Sequence, residues 1–472
     1  MTATNTRIER DSMGEMEVPE NAYYGASTMR AVLNFPISDL RFPRAFIRSL
    51  ALIKQAAANT NVKLGLLDSA FGRAIDAAAQ EVIDGDLDDH FVLDIFQTGS
   101  GTSTNTNANE VIANRATELL GGDRGDRLVH PNDHVNMCQS SNDVIPTAIH
   151  IATLTAIKED LVPALRELQA SLEAKAEEFW PIVKTGRTHL QDATPVRLGQ
   201  EFRGYAGQAE RSLRRLEHAA AELSEVALGG TAVGTGVNAH PEFAAGVCAI
   251  LSQKIGVEVR ETENHFQAQN TLDSVVEASA TLRTIAISLN KIANDIRWLG
   301  SGPRAGIGEI MLPEVQPGSS IMPGKVNPVI AESVIQVVAQ VIGNDAAVAV
   351  AGQGGYFELN MMFPVAAYNI LQATSLLAAS ARNFSRQCVT GLVATTAGPD
   401  LVERGLMLGT ALAPAIGYDK AAAIAKAAAA DGRTIREVAR EQSGLSDEEL
   451  DVLLKPDEMT EPGLGKSAGG GG

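Results

Sequence analysis

Two serines, a lysine and an asparagine share one glycine-bounded loop. Residues 318–328 read Gly-Ser-Ser-Ile-Met-Pro-Gly-Lys-Val-Asn-Pro. Glycine lets several backbone N–H groups turn toward one point, an arrangement that favours an anion. Lys325 adds a full positive charge, and Asn327 adds a side chain that both donates and accepts. Ser319 and Ser320 place hydroxyls beside them. The run reads as a loop that holds a carboxylate and presents a serine next to it. A nucleotide-phosphate loop is excluded: five residues separate Gly318 from Gly324, and Val326 follows the lysine where a hydroxyl residue is needed. The bland alternative is an ordinary Gly-Pro turn.

Three further segments carry polar chemistry. Gln97–Asn107 holds Ser100 and Thr102 among small hydroxyls and amides on a glycine hinge, with no charge across eleven residues. Such a run makes a poor core and a good donor surface for carboxylate oxygens; read structurally, it is a solvated loop. The second segment is His130-Pro-Asn132-Asp133-His134, followed by Gln139-Ser140-Ser141-Asn142-Asp143. The spacing of His130 and His134 invites a metal, yet Pro131 and the lack of further ligands argue against one. Ser140, Ser141 and Asn142 are placed to cap a helix predicted from about Thr147, and to point donors at a ligand while doing so. The third segment, Lys184–Pro195, sets Thr188 beside His189 with Asp192 three residues on, which suits a positioned proton donor or acceptor. Glu332 opens the helix after the serine loop.

Long helices must position these segments. Leu154, Ile157, Leu161, Leu165, Leu168 and Leu172 recur at helical spacing, with Pro163 predicted to kink or restart the helix. A second run from Leu198 to Ala227 stops at Gly229-Gly230, and a third spans Leu272–Ile296. The third is apolar on most sides and so must be buried on most sides, which implies packing against other subunits. Helical runs are also predicted at 45–83, 329–350 and 363–390, then shorter ones at 401–413, 418–430, 434–441 and 446–454. Residues 1–44 read as mixed and turn-rich, and Ala468–Gly472 as disordered.

The bulk numbers bound the class. A chain of 472 residues has room for two to four domains, and its 45% hydrophobic content can build a large core. A net charge of −18 removes the footprint of a nucleic-acid binder and leaves capture of an anion to local positive potential. Cys138, Cys248 and Cys388 form no CxxC pair, which fits a reducing compartment. Met1–Arg10 lacks an apolar stretch, and no run of about 18 uncharged apolar residues appears. A soluble cytoplasmic protein is expected.

Taken together, the four segments resemble the class II fumarase and aspartase superfamily, whose motif GSSxMPxKxN is met at Gly318–Asn327. The resemblance runs from about Arg7 to Gly463. It implies an all-α, three-domain fold whose central long-helix bundle forms a twenty-helix tetramer core, with each active site shared between subunits. The corresponding boundaries are 1–140, 141–395 and a small helical C-terminal domain at 396–472. Ser100 in its glycine loop, Ser141 before Asn142-Asp143, and Ile296–Leu299 before Gly302-Pro303-Arg304 are similar to the fumarate hydratase branch. That branch implies anti elimination of water from (S)-malate. Ser319 would be the base, His189 would serve the departing hydroxide, and Glu332 would orient His189. Lys325 and Asn327 would hold the carboxylate beside the reacting carbon, with Ser100, Thr102, Ser140, Ser141, Asn142, Thr188 and Ser320 around the substrate. His130, Asn132 and Asp133 match a second, peripheral carboxylate site. No metal or organic cofactor is implied, and the partners are a small dicarboxylate and further copies of the chain. The alternatives are an aspartate ammonia-lyase, a lyase for a larger succinyl adduct, and a silent helical scaffold.

Overall fold

The computed structural model describes residues 5–463. Helices dominate, and short two-stranded ribbons, mostly antiparallel, interrupt them. The ribbons are an addition to the expected all-α class. β1 (Thr6–Asp11) pairs with β2 (Gly14–Pro19) in the stretch read as mixed, and β3 (Val183–Thr188) pairs with β4 (Gln191–Arg197) in the histidine segment. The helices in chain order are α1 (Ala26–Asn34), α2 (Arg44–Lys63), α3 (Ser69–Asp84), α4 (Thr102–Leu119), α5 (Ser141–Ala156) and α6 (Val162–Glu178). They continue as α7 (Leu198–Leu223), α8 (Phe243–Ile255), α9 (His265–Asn270), α10 (Asp273–Leu299), α11 (Val329–Gly352) and α12 (Phe363–Gln387). The expected disorder of Ala468–Gly472 lies outside the described residues.

Three departures from the sequence expectations have local causes. The hydroxyl run is not loop beyond Gly101: α4 begins at Thr102, because Gly101 takes the left-handed conformation (φ 72°) that turns the chain into the helix. Its buried positions include Asn105, Asn107 and Asn109, which are polar and so hide the apolar periodicity. The helix predicted from Thr147 starts six residues earlier, at the Ser140 cap. Ahead of Pro163, a π-helical turn over Ile157–Leu161 absorbs the missing N–H, so α5 and α6 run on with a local irregularity.

The chain packs as two compact units. The first takes residues up to Pro163 with Leu213–Ile287 and Val337–Ala379; the second takes Ala164–Ser212, Ser288–Gln336 and the chain from Ser380. In the first, small residues along α2 (Ala51, Ala56, Ala57, Ala58) let it pack closely on α3, α5 and α8. Asp345 of α11 is buried and accepts from Ser279 at 2.8 Å and Arg283 at 2.6 Å on α10. In the second, Ser385 of α12 meets Ser171 of α6 at 3.0 Å. The C-terminal segment closes its own core around Leu412, Ile424, Ile435, Val438, Leu450 and Leu454.

α10 buries Val275, Leu282, Ile285, Leu289, Ile292 and Ile296 within the chain. It leaves Ile287 53% exposed, and α11 likewise has an unfilled apolar face, where Ile342 and Val350 are 43% and 58% exposed. By length and composition α11 could cross a membrane, with a mean hydropathy of 1.6. The buried Asp345 hydrogen bonds mark it as a bundle helix, since an ionised side chain inside a bilayer is costly.

Candidate active site

The first donor loop is fixed by glycines with no room for a side chain. A Cβ on Gly99 would stand 2.0 Å from the Met361 carbonyl oxygen, and the Gly99 carbonyl accepts from Phe363 N–H at 3.1 Å. Behind the loop, Gln97 Oε1 accepts from the Thr104 amide at 3.1 Å and from its hydroxyl at 2.9 Å. Ser100 and Thr102 are thereby brought together, their hydroxyl oxygens 2.7 Å apart. Between two such hydroxyls one hydrogen bridges the pair and the other is left to donate.

Ser140–Asn142 form the start of α5. Ser140 Oγ accepts from Asn142 N–H at 3.3 Å, and the Asp143 carboxylate accepts from Ser140 N–H at 2.9 Å, a reciprocal cap. Asp143 also accepts from the amides of Gly229 at 3.1 Å and Thr231 at 2.9 Å. Burial pushes the Asp143 carboxyl up to about 6, against the pull of those amides and of Lys54. Asn142 donates its amide to the Ala232 carbonyl at 2.8 Å, which leaves its side-chain oxygen, an acceptor, facing elsewhere. Ser141 accepts from Asn105 Nδ2 at 3.1 Å.

His130 and His134 do not converge. His130 Nδ1 accepts from the amides of Asn132 at 3.3 Å and Asp133 at 3.1 Å, while His134 Nδ1 accepts from His130 N–H at 2.9 Å. Asp133 also lies 3.2 Å from His130 Nδ1, the nitrogen that those two amides face. His130, Asn132 and Asp133 thus share one tight turn, with Asn132 and Asp133 exposed.

In the second unit Thr188 ends β3 and His189 sits in the β3–β4 turn. His189 (φ 55°) and Leu190 (φ 59°) are both left-handed, the two-residue turn that glycine and asparagine usually supply. Such residues persist where the surroundings over-determine them. Here a buried charge cluster lies beneath the turn. Lys184, 1% exposed, donates to Glu201 at 2.8 Å and lies 2.8 Å from Glu309, which also accepts from Arg187 at 2.7 Å. Burial raises the Glu201 carboxyl. A cavity of about 570 Å³ beside the turn is lined by Arg187, Thr188, Glu201, Tyr205, Lys291 and Asp295.

The serine loop closes on itself. Gly318 N–H donates to the Lys325 carbonyl at 2.9 Å, and Asn327 Nδ2 donates to the Gly318 carbonyl at 2.6 Å. Inside this ring Ser319 Oγ accepts from the amides of Ile321 at 3.3 Å and Met322 at 3.1 Å. Backbone N–H groups aimed at a hydroxyl oxygen favour its alkoxide. Lys325 and Ser320 stand exposed at the rim, and Asn327 gives one of its two amide hydrogens to the loop. Glu332 is exposed in the first turn of α11. Among the described residues, no hydrogen bond within the chain joins His189 to Glu332 or to Ser319.

The chain matches a lyase family over residues 14–343 and a fumarase C C-terminal family over 408–461. It is 57% identical to the class II fumarate hydratase of Halobacterium salinarum over 97% of this chain and 98% of that one. It is 53% identical to class II fumarate hydratase 2 of Bradyrhizobium diazoefficiens, covering 97% of each. The chain belongs to the class II fumarate hydratase family. A crystal structure of class II fumarase from Schistosoma mansoni superimposes with a TM-score of 0.95 at 40% identity, covering 97% of this chain and 99% of that one. The fold extends further: a 3-carboxy-cis,cis-muconate lactonizing enzyme from Pseudomonas putida matches at a TM-score of 0.71 and 23% identity over 93% of this chain and 94% of that one. Within the fumarase fold, sequence reasoning missed Lys54, Asn105 and Glu309. Each is a buried polar residue on a helix or beside a ribbon, far in sequence from the group it supports.

Proposed function

We propose that the chain interconverts (S)-malate with fumarate and water by anti elimination. One observation carries the reading: Ser319 Oγ lies in a turn that aims two amide N–H groups at it, at 3.3 and 3.1 Å. A serine hydroxyl removes a carbon-bound proton only if its alkoxide is stabilised, and those amides supply that stabilisation. Loss of the C3 proton sends charge onto the adjacent carboxylate, giving an aci-carboxylate. Lys325 meets this charge with its ammonium. Asn327 Nδ2 gives one hydrogen to the Gly318 carbonyl and has a second to donate to that carboxylate. Donors that strengthen as the charge develops lower the barrier more than donors that bind substrate and transition state alike.

Ser100, Thr102, Ser140, Ser141, Asn142, Thr188 and Ser320 hold the remainder of the substrate in this reading. His189 serves the departing hydroxide and Glu332 orients it. His130, Asn132 and Asp133 are assigned to a peripheral carboxylate. The exposed positions of His189 and Glu332, the half-buried Ser319 and the exposed apolar side chains of α11 support assembly as a homotetramer in which other subunits complete each site. The three-domain division at 140 and 395, the absence of any cofactor and a cytoplasmic location belong to the same proposal. The relatives reported above give the ammonia-lyase alternative no support.

The test is direct. Purified protein given L-malate should produce fumarate, followed by ultraviolet absorbance, and given L-aspartate should produce none. Ser319→Ala should lower turnover by orders of magnitude with assembly unchanged. Near-normal malate dehydration in that variant would remove Ser319 from the base role.

A further inference from the structure

Lys54 lies on α2 with no solvent exposure, among alanines, leucines and isoleucines. A buried ammonium is costly unless its N–H groups find acceptors. Nζ donates to Asn136 Oδ1 at 2.9 Å and to Gln139 Oε1 at 3.0 Å. Because an ammonium only donates, both amides must turn their oxygens toward it. Their nitrogens then face away. Asn136 Nδ2 donates to the Gln139 carbonyl at 3.1 Å, and Gln139 Nε2 donates to the carbonyls of Val135 at 3.1 Å and Met137 at 3.0 Å. The Asn136 oxygen so placed also accepts from Asn105 Nδ2 at 3.2 Å, and that same nitrogen donates to Ser141 Oγ at 3.1 Å.

The direction of every bond in this chain follows from the ammonium at its buried end. Ser141 Oγ already accepts from Asn105, so its own hydrogen is turned away from that side and is available as a donor. We propose that Lys54 is a positioning residue which, through Asn136 and Asn105, fixes Ser141 as a hydrogen-bond donor to a substrate carboxylate. This rests on the reading of Ser141 as a substrate-binding group. Lys54 itself touches no substrate. Its side chain reaches residues 82 and 85 positions away and orders the turn that precedes α5.

A double-mutant cycle on the full-length assembled protein tests the relay, with kcat/KM for L-malate as the readout. Ser141→Ala and Lys54→Met are each expected to lower kcat/KM about tenfold, the loss of roughly one hydrogen bond to a charged group. Combined, they are expected to cost about tenfold as well, because the relay has nothing left to orient. A purely structural role for Lys54 gives losses that multiply. An approximately hundredfold drop in the double variant would therefore overturn the inference and leave the site assignment standing. An unaltered kcat/KM in Ser141→Ala would overturn the site assignment and the inference together. Should Lys54→Met not fold, Asn105→Asp runs the same cycle. Its carboxylate can only accept, so the Ser141 hydrogen turns inward. The expected loss is again about tenfold and disappears in the Ser141→Ala background, whereas a multiplied loss refutes the relay.

Discussion

Glu309→Gln is the most demanding test of how the histidine turn is held. The substitution preserves volume and removes one negative charge from a cluster of two cations (Lys184, Arg187) and two anions (Glu201, Glu309). Lys184 and Glu309 are 1% and 2% exposed, so solvent does not screen the excess positive charge that remains. Breaking a buried pair costs about 3–5 kcal/mol, and the lower end applies because Glu201 stays with Lys184. Arg187 loses its 2.7 Å partner, while its Nη1 is already buried without an acceptor. The turn that follows Arg187 and Thr188 holds two left-handed residues, at roughly 1–3 kcal/mol each, and the cluster is expected to restrain it. If about 1.4 kcal/mol of that restraint is lost from the position of His189, turnover falls about tenfold. Urea unfolding followed by tryptophan fluorescence, beside malate kinetics, reads both quantities. A stability change below about 1 kcal/mol with turnover intact would show that the cluster does not govern the turn, and the reasoning would fail.

Two other outcomes are expected. Ile342→Glu places a charge on the unfilled apolar face of α11 and should yield smaller particles in sedimentation with near-normal helix content; an unchanged sedimentation coefficient would place the assembly surface elsewhere. Burial lowers Lys54 to about 7 from its usual 10.5, so between those values the folded chain binds fewer protons than the unfolded chain. The penalty is greatest below about 7 and fades as pH rises, so Lys54→Met should flatten the gain in unfolding free energy across that window relative to the parent protein, measured by urea titration at several pH values.

The segments proposed for the site were legible because their residues cluster along the chain. Ser319, Lys325 and Asn327 fall within one loop, as do Ser140 to Asn142. The long helices were readable because leucine and isoleucine repeat at three and four. What supports the site was not. Lys54 in an alanine-rich helix looks like a solvated residue until Asn136, 82 positions on, is seen to accept its hydrogen bond. Glu309 pairs with Arg187 across 122 positions, a distance no local pattern spans. The start of α4 was misread because buried asparagines replace the apolar stripe. The ribbons at β1–β2 and β3–β4 are too short, and too rich in charge and threonine, to advertise alternation.

Gly99 ties the first donor loop to a distant ribbon. Its carbonyl is gripped by Phe363 and its α-carbon abuts Met361, immediately after a short ribbon whose tip carries Tyr356 and Phe357, the latter 89% exposed. With a side chain excluded at Gly99, the loop of Ser100 and the chain after that ribbon lie backbone to backbone. Any side chain at position 99 would therefore prise that seam apart and shift Ser100 with it.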